Sequence, residues 1–284
     1  MEQPSFSLQQ VSFAVGSSSI LAPVDLDIPS GKITAILGSN GSGKSTLLKL
    51  LSGLSPVSSG EIRLCDKPLS SYRRQQLAKK LTMLPQHSPV PLGMTVTDLV
   101  ACGRHPHAGP FGRLRADDYQ AIEEALDRVG MNDFAGHTVD HLSGGEMQRV
   151  WLAMVLAQQT GILLLDEPTS WLDIAHQQKL LEIIRTLNQE QGVTVVWVLH
   201  DLNQALQYSD SIVLMKEGGL IKAGPAREVL DEQSIHEVFE VETRRVTLEP
   251  EGQTLFIPCN PGSAASDQGQ FTTRIKKSLT MEVA

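Results

Sequence analysis

The chain has 284 residues, 41% apolar and 20% charged, ordinary globular usage and enough length for one large α/β domain or two small ones. Lys and Arg total 24 against 32 for Asp and Glu, a formal net charge of −8, which argues against a general nucleic-acid binder because phosphate contacts need clustered cations. No run approaches the roughly 18–20 consecutive apolar residues of a membrane span, and the start, Met1-Glu2-Gln3-Pro4, is not a secretory signal.

Cys65, Cys102 and Cys259 are odd in number and widely spaced, which suits reduced thiols better than a disulfide frame or a zinc site. A soluble intracellular chain is expected, its membrane contacts running through a partner. In chain order, Ser5–Val15 and Val24–Ile28 read as short strands around a Gly-Ser-Ser-Ser turn. Ile33–Leu37 is an apolar strand that ends abruptly in glycines, and a helical pattern follows from Lys44 to Leu54. Val96–Cys102 reads as a short helix. Asp117–Val129 is a second, with Ile122, Leu126 and Val129 on one face, and Met147–Gln159 is a third. Such a block, about residues 87–160, suggests a helical subdomain inserted between α/β segments. Ile162–Leu165 and Val193–Leu199 are almost continuously apolar, the pattern of strands covered on both faces in a parallel sheet. No repeat recurs at 20–50 residues. From Asn260 the composition turns to Asn, Pro, Gly, Ser, Asp and Gln, so a loosely ordered polar tail is expected over 256–284.

Gly38-Ser39-Asn40-Gly41-Ser42-Gly43-Lys44-Ser45, followed by Thr46, satisfies G-x-x-x-x-G-K-[ST]. Backbone N–H groups must close around phosphate oxygens here, and side chains at the glycine positions would block them. A plain glycine turn is the bland alternative, and the strand before it and helix after it weigh against that. The helix start adds its positive dipole end, Lys44 would reach the β- and γ-phosphates, and Ser45 offers a hydroxyl to Mg²⁺.

The Ile162–Leu165 strand delivers Asp166 and Glu167 at its C-terminal end, where ligands of parallel sheets bind. Asp166 would hold the Mg²⁺ shell and Glu167 would orient or deprotonate an attacking water. In Leu142-Ser143-Gly144-Gly145-Glu146, Ser143 and Glu146 have capping-box spacing. Capping leaves the two glycines unexplained, since each forgoes roughly 0.5–1 kcal/mol relative to alanine in a helix. Close approach to a ligand phosphate accounts for them.

These motifs, with Gln86 after a strand, Ser170-Trp171-Leu172-Asp173, and His200 after the Val193–Leu199 run, resemble the ATP-binding cassette family over about Phe6 to Leu255. The resemblance implies an α/β P-loop NTPase cassette: a mainly parallel core sheet, an N-terminal antiparallel β subdomain and an inserted helical subdomain, spanning residues 1–255. It implies ATP and Mg²⁺ as cofactors and a head-to-tail homodimer with ATP clamped between one P-loop and the opposing signature. Gln86 would couple the nucleotide site to the membrane partner and join the metal shell. Ser143, Gly144, Gly145 and Glu146 would meet the γ-phosphate of the other subunit, His200 would contact γ-phosphate and water, and Asp173 would pass information between sites. The family's adenine-stacking aromatic is missing: the aligned position is Val15, with Phe13 two residues away. Trp171 is bulkier than the small residue common at its position.

Met94-Thr95-Val96-Thr97-Asp98-Leu99-Val100-Ala101-Cys102-Gly103-Arg104-His105-Pro106-His107 is similar to a segment of importer ATPases for iron-siderophores, haem and cobalamin, nearest the ferric-hydroxamate group. Asp166 to Gln177 and Leu199 to Asn203 share that likeness. It implies integral permease subunits, a periplasmic or surface substrate-binding protein reached through them, no nucleic acid, and a peripheral place on the cytoplasmic face of the inner membrane. His105-x-His107 has Pro106 between its two histidines and no acidic residue close by in sequence, so its segment reads as surface for a helix of the membrane subunit rather than as a metal site. The alternative is a soluble ABC ATPase, such as one serving iron-sulfur cluster assembly.

Overall fold

Strands β1 (Pro4–Val15) and β2 (Ser18–Pro29) form an antiparallel hairpin in the computed structural model, which describes residues 4–86, 89–90, 92–109, 112–170, 172–248 and 252–259. Then come β3 (Ile33–Gly38), α1 (Lys44–Leu51), β4 (Ser59–Leu64), β5 (Lys67–Pro68), α2 (Arg74–Ala78) and β6 (Leu81–Leu84). Three helices follow, α3 (Val96–Cys102), α4 (Ala116–Arg128) and α5 (Gly144–Ala157). The chain returns to the sheet with β7 (Ile162–Asp166), α6 (Ile174–Gln191), β8 (Thr194–Val198), α7 (Leu202–Tyr208), β9 (Ser211–Lys216), β10 (Gly219–Pro225) and α8 (Ala226–Val229).

Two sheets result. β2-β1-β4-β5 is antiparallel throughout. β10-β9-β3-β8-β7-β6 is parallel from β9 to β6, with β10 antiparallel on its edge. β3, β7 and β8 are buried along their whole length, as their unbroken apolar runs require. One apolar cluster joins Phe6, Leu8 and Ile62 of the antiparallel sheet, Leu47, Leu48 and Leu51 of α1, and Ile36, Leu164 and Val196 of the parallel sheet. Helix α1 thus packs with both sheets, which holds the loop before it.

Element ends differ from the sequence reading where caps decide them. α1 stops at Leu51 because Gly53 takes a left-handed conformation and the Ser52 hydroxyl donates to the Lys49 carbonyl at 2.8 Å. α5 begins at Gly144, three residues earlier than its apolar pattern, because Ser143 caps it. α6 and the β9–β10 hairpin carry less distinctive patterns and come only from the structure.

The helix-rich stretch is pinned from within. Arg104 is 5% exposed, its Nε donating to Asp118 Oδ1 at 2.9 Å and its Nη1 to the Ala157 carbonyl at 2.7 Å and Gln159 Oε1 at 3.0 Å. It therefore ties the end of α3 to the start of α4 and the end of α5. A Cβ at Gly103 would stand 2.1 Å from the Met154 carbonyl, so glycine lets α3 meet α5. His107 Nε2 lies 2.9 Å from the Gln158 carbonyl. Within the segment, Arg104 and His107 are therefore struts, and His105 is the exposed member.

Compact units divide at Val229 and Leu230. Residues 230–259 hold α9 (Glu232–Phe239), capped by Asp231, and a hairpin of β11 (Thr243–Leu248) and β12 (Gln253–Pro258) with Phe256 buried. β12 runs past the boundary expected at 255, so residues 256–258 are strand rather than loose tail. Residues 260–284 lie outside the described residues, as does Trp171.

Replacing Arg104 with alanine leaves a buried Asp118 carboxylate without its guanidinium. A loss of about 3–5 kcal/mol is expected by chemical denaturation, against which a change under 1 kcal/mol would show that the strut is replaceable.

Candidate active site

Parallel pairing places four strand ends side by side in the order β3, β8, β7, β6. With about 4.8 Å between neighbours, the row is about 14 Å long. β3 leads into Gly38–Ser45, β8 into His200, β7 into Asp166 and Glu167, and β6 into Gln86.

Gly38 ends β3 hard against β9: a Cβ there would stand 2.2 Å from the Met215 carbonyl and 2.6 Å from Ser42 Oγ. Gly43 caps α1 in the left-handed region at φ 94°, with no side-chain hydrogen bond to the helix start and no acidic residue in its first turn. α5, α6 and α7 contrast with it, since the side chains of Ser143, Asp173 and Asp201 each accept at least one first-turn N–H. Lys44 Nζ folds back over the loop and donates to the Gly38 and Ser39 carbonyls, both at 2.9 Å. Burial pulls the Lys44 ammonium below the usual lysine range, against the raising influence of Glu167 and Asp166. The Ser42 hydroxyl is buried with no partner among the described residues. An uncapped positive helix end, a buried ammonium and an orphan hydroxyl together fit a phosphate group.

Ser45 Oγ donates to Asp166 Oδ1 at 2.9 Å, bridging α1 and β7. Burial raises the Asp166 carboxyl above the ordinary carboxylate range; the Ser45 hydrogen bond opposes this and the Glu167 charge adds to it. A hydroxyl and a carboxylate are hard oxygen donors, the type Mg²⁺ accepts alongside water and substrate phosphate. No cluster of three or more His, Cys, Asp or Glu fit to hold a metal occurs among the described residues, so such an ion would need those other oxygens. Gln86 turns its amide nitrogen to Glu167 Oε2 at 2.6 Å.

Glu167 takes a left-handed backbone, φ 52°, an uncommon conformation for a residue with a side chain. Besides Gln86, its carboxylate receives Ser170 Oγ at 3.1 Å on Oε2 and His200 Nε2 at 2.7 Å on Oε1. Burial pushes this carboxyl up, but the His200, Ser170 and Gln86 contacts outweigh it and hold the group below the ordinary range. Ser170 carries no signature as a Glu167 donor beyond its i, i+3 spacing. The two acidic neighbours are thus driven apart, one toward holding a proton and one toward losing it.

The signature residues form a separate station. Glu146 N donates to Ser143 Oγ at 3.3 Å, while Ser143 N and Oγ donate to Glu146 Oε2 at 2.8 and 2.7 Å, a reciprocal cap. These bonds hold the Glu146 carboxyl low. A Cβ at Gly144 would meet nothing within 4 Å, and one at Gly145 only Leu172 at 3.5 Å. The chain's own packing therefore does not explain the glycine pair. Among the described residues, no side-chain hydrogen bond or ion pair joins residues 143–146 to residues 38–46. Asp173 Oδ1 accepts the His176 N–H at 2.8 Å and lies 2.8 Å from the His176 ring. Val15 is 61% exposed near the tip of the β1–β2 hairpin, whereas Phe13 packs against the hydrophobic core.

The family model described as "ABC transporter" matches residues 21–170. The iron(3+)-hydroxamate import ATP-binding protein FhuC of Bacillus subtilis (strain 168) is 42% identical over 243 residues, 86% of this chain and 90% of that protein. The ferric enterobactin transport ATP-binding protein FepC of Escherichia coli (strain K12) is 39% identical over 250 residues, 88% of this chain and 92% of that one. Among solved structures, an inward-facing ABC transporter assigned to the metal-chelate type superposes with a TM-score of 0.79 at 29% identity, covering 91% of this chain and 98% of that one. A bacterial ABC transporter cassette solved as a dimer gives 0.70 at 28% identity, covering 78% of this chain and 99% of that one.

Asp166 binds its proton more tightly folded than unfolded. Its ionisation therefore costs stability as pH rises through the folded value, and the cost is absent in acid. In nucleotide- and metal-free buffer, Asp166→Asn is expected to melt above the wild type at about pH 8, with the gap closing toward about pH 4. Melting curves across that range check this; a gap that widened in acid would reverse the sign.

Proposed function

The chain belongs to the ABC transporter family and is an ATPase, and we propose that it powers uptake of a ferric siderophore or related metal chelate through a separate membrane permease. The observation that carries the catalytic part is the Glu167 carboxylate, kept ionised by His200, Ser170 and Gln86 beside the Ser45–Asp166 contact. The names of the relatives support the cargo, and speak for import rather than for the soluble alternative.

In this reading the Gly38–Thr46 loop and helix start receive the ATP phosphates, and Lys44 leaves its two carbonyls to pair with them. Ser45 and Asp166, with Gln86 close by, would hold Mg²⁺, whose charge would offset that of the β- and γ-phosphate oxygens. Glu167 orients or deprotonates the attacking water, and His200, 49% exposed at its side chain, reaches γ-phosphate and water. Two copies stand head to tail, so that Ser143, Gly144, Gly145 and Glu146 of one meet the phosphate held by the other. The open space around Gly144 and Gly145 supports this, as does their neighbour Leu172 in the loop that carries Asp173. Residues 1–255 serve as the ATPase domain, with about 87–160 as its helical subdomain. The complex sits at the cytoplasmic face of the inner membrane, receives cargo from a binding protein through the permease, and needs no nucleic acid. No helix among the described residues is long and apolar enough to cross a membrane, so the permease supplies the spans.

Co-expressed with its membrane subunit and assayed in lipid, the chain is expected to turn over ATP faster with one loaded ferric-siderophore binding protein. Activity indifferent to every such protein, without a stable membrane complex, would overturn the transport reading. In the same assembly, Glu167→Gln is expected to bind ATP while losing turnover by about 10²-fold or more, and near-normal turnover would remove Glu167 from its role. Val15→Tyr supplies the stacking face that the hairpin tip lacks. Nucleotide binding is expected to tighten about tenfold, within the range that base–aromatic stacking provides. Unchanged affinity in a titration with labelled ATP would place the base elsewhere.

A further inference from the structure

The loop between β7 and α6 is held by glutamine side chains from two helices. Gln148, on α5, donates its amide to the Pro168 carbonyl at 3.0 Å. Gln177, in the first turns of α6, donates Nε2 to the Thr169 carbonyl at 3.2 Å and the Leu172 carbonyl at 3.1 Å. Carbonyls only accept, so these contacts fix which way the Gln177 amide points and leave its oxygen outward. That oxygen receives Gln204 Nε2 at 2.9 Å. Gln204 lies in the first turn of α7, where its own N–H, like that of Asn203, donates to the capping Asp201 carboxylate at 2.9 and 2.7 Å. Asp201 directly follows His200.

Two routes therefore connect the same pair of segments. One is the direct contact of His200 with Glu167. The other runs from the start of α7 through Gln204 and Gln177 into the loop whose Ser170 donates to Glu167. The direct route is the one chemistry must alter if His200 is to turn to γ-phosphate. The glutamine route involves no reacting atom and persists when the direct contact breaks.

We propose that Gln177, bonded to Gln204, is a positioning residue that holds the Glu167 loop and the His200 segment in mutual register for ATP hydrolysis. This rests on Glu167 and His200 being the catalytic pair. Both glutamines are only half-buried and their side-chain hydrogen bonds reach no residue of the Gly38–Ser45 loop, so nucleotide binding should survive their loss.

The test uses the chain with its membrane subunit in lipid and compares Gln177→Leu, Gln204→Leu, the double variant and Gln178→Leu, whose side chain is an exposed neighbour. Gln177→Leu and Gln204→Leu are each expected to lower kcat about tenfold while KM for ATP moves less than about twofold. The double variant should fall no further than the worse single one, because both changes cut a single connection. Gln177→Glu keeps the acceptor for Gln204 but cannot donate to the two carbonyls, so it should behave as Gln177→Leu does. Turnover equal to that of Gln178→Leu, or single effects that multiply in the double variant, would overturn the proposal. Glu167→Gln run alongside separates the two readings. If it stays active, the catalytic pair was wrongly assigned; if it is inactive while the glutamine variants turn over normally, only the positioning role falls.

Discussion

β3, β8, β7 and β6 run in one direction, each hydrogen-bonded to its neighbour in register, and so discharge their following residues along one edge. The phosphate loop, His200, the Asp166–Glu167 pair and Gln86 depend on that arrangement, because none is near another in sequence. Burial on both faces does not by itself fix that register. A slip of one residue would still bury apolar side chains, but it would move Asp166 away from Ser45 and Glu167 away from His200. The hydrogen bond of Ser45 to Asp166 and the contact of His200 with Glu167 therefore report the register as well as the chemistry.

Electrostatics then sorts two adjacent carboxylates. Asp166 ends a buried strand, where desolvation favours its neutral form and one serine hydroxyl offsets only part of that cost. Glu167, one residue on, leaves the strand through an unusual backbone conformation that turns its carboxylate toward three donors. A group poised to gain stability from a cation sits next to one already supplied with hydrogen bonds. The strain at Glu167 and the desolvation of Asp166 both lower the stability of the free chain, which is the usual relation between a site and its scaffold.

The signature station illustrates the opposite condition. Its helix start is capped by the chain itself, through Ser143 and Glu146, yet its two glycines face space that the chain does not fill. In the proposed head-to-tail pair a phosphate held by a second copy would enter that space, where the cap already orders the first turn of α5. Leu172, beside Gly145, brings the same loop that Gln177 secures up against this station.

The order and identity of the motifs were legible in the chain, because a glycine loop before Lys44 and a buried strand before Asp166 are local patterns with local physical causes. So were the buried parallel strands and the capped start of the Gly144 helix, although the apolar pattern placed that start three residues late. Arg104 shows where local reading stops. Arginine in a polar segment looks like surface, and only the packing of α3, α4 and α5 converts it into a buried strut with four acceptor contacts. Phe13 and Val15 are two apart on β1, yet beside the register shift near the hairpin tip only Phe13 packs against the core, while Val15 is left exposed. The donors on Glu167 come from β6, β8 and the loop after β7, and the Gln177–Gln204 bond joins residues 27 positions apart. Gln86, Ser170 and His200 each stand in a motif, but no motif states that they meet on Glu167, since that depends on where the sheet carries separate elements rather than on the residues beside them.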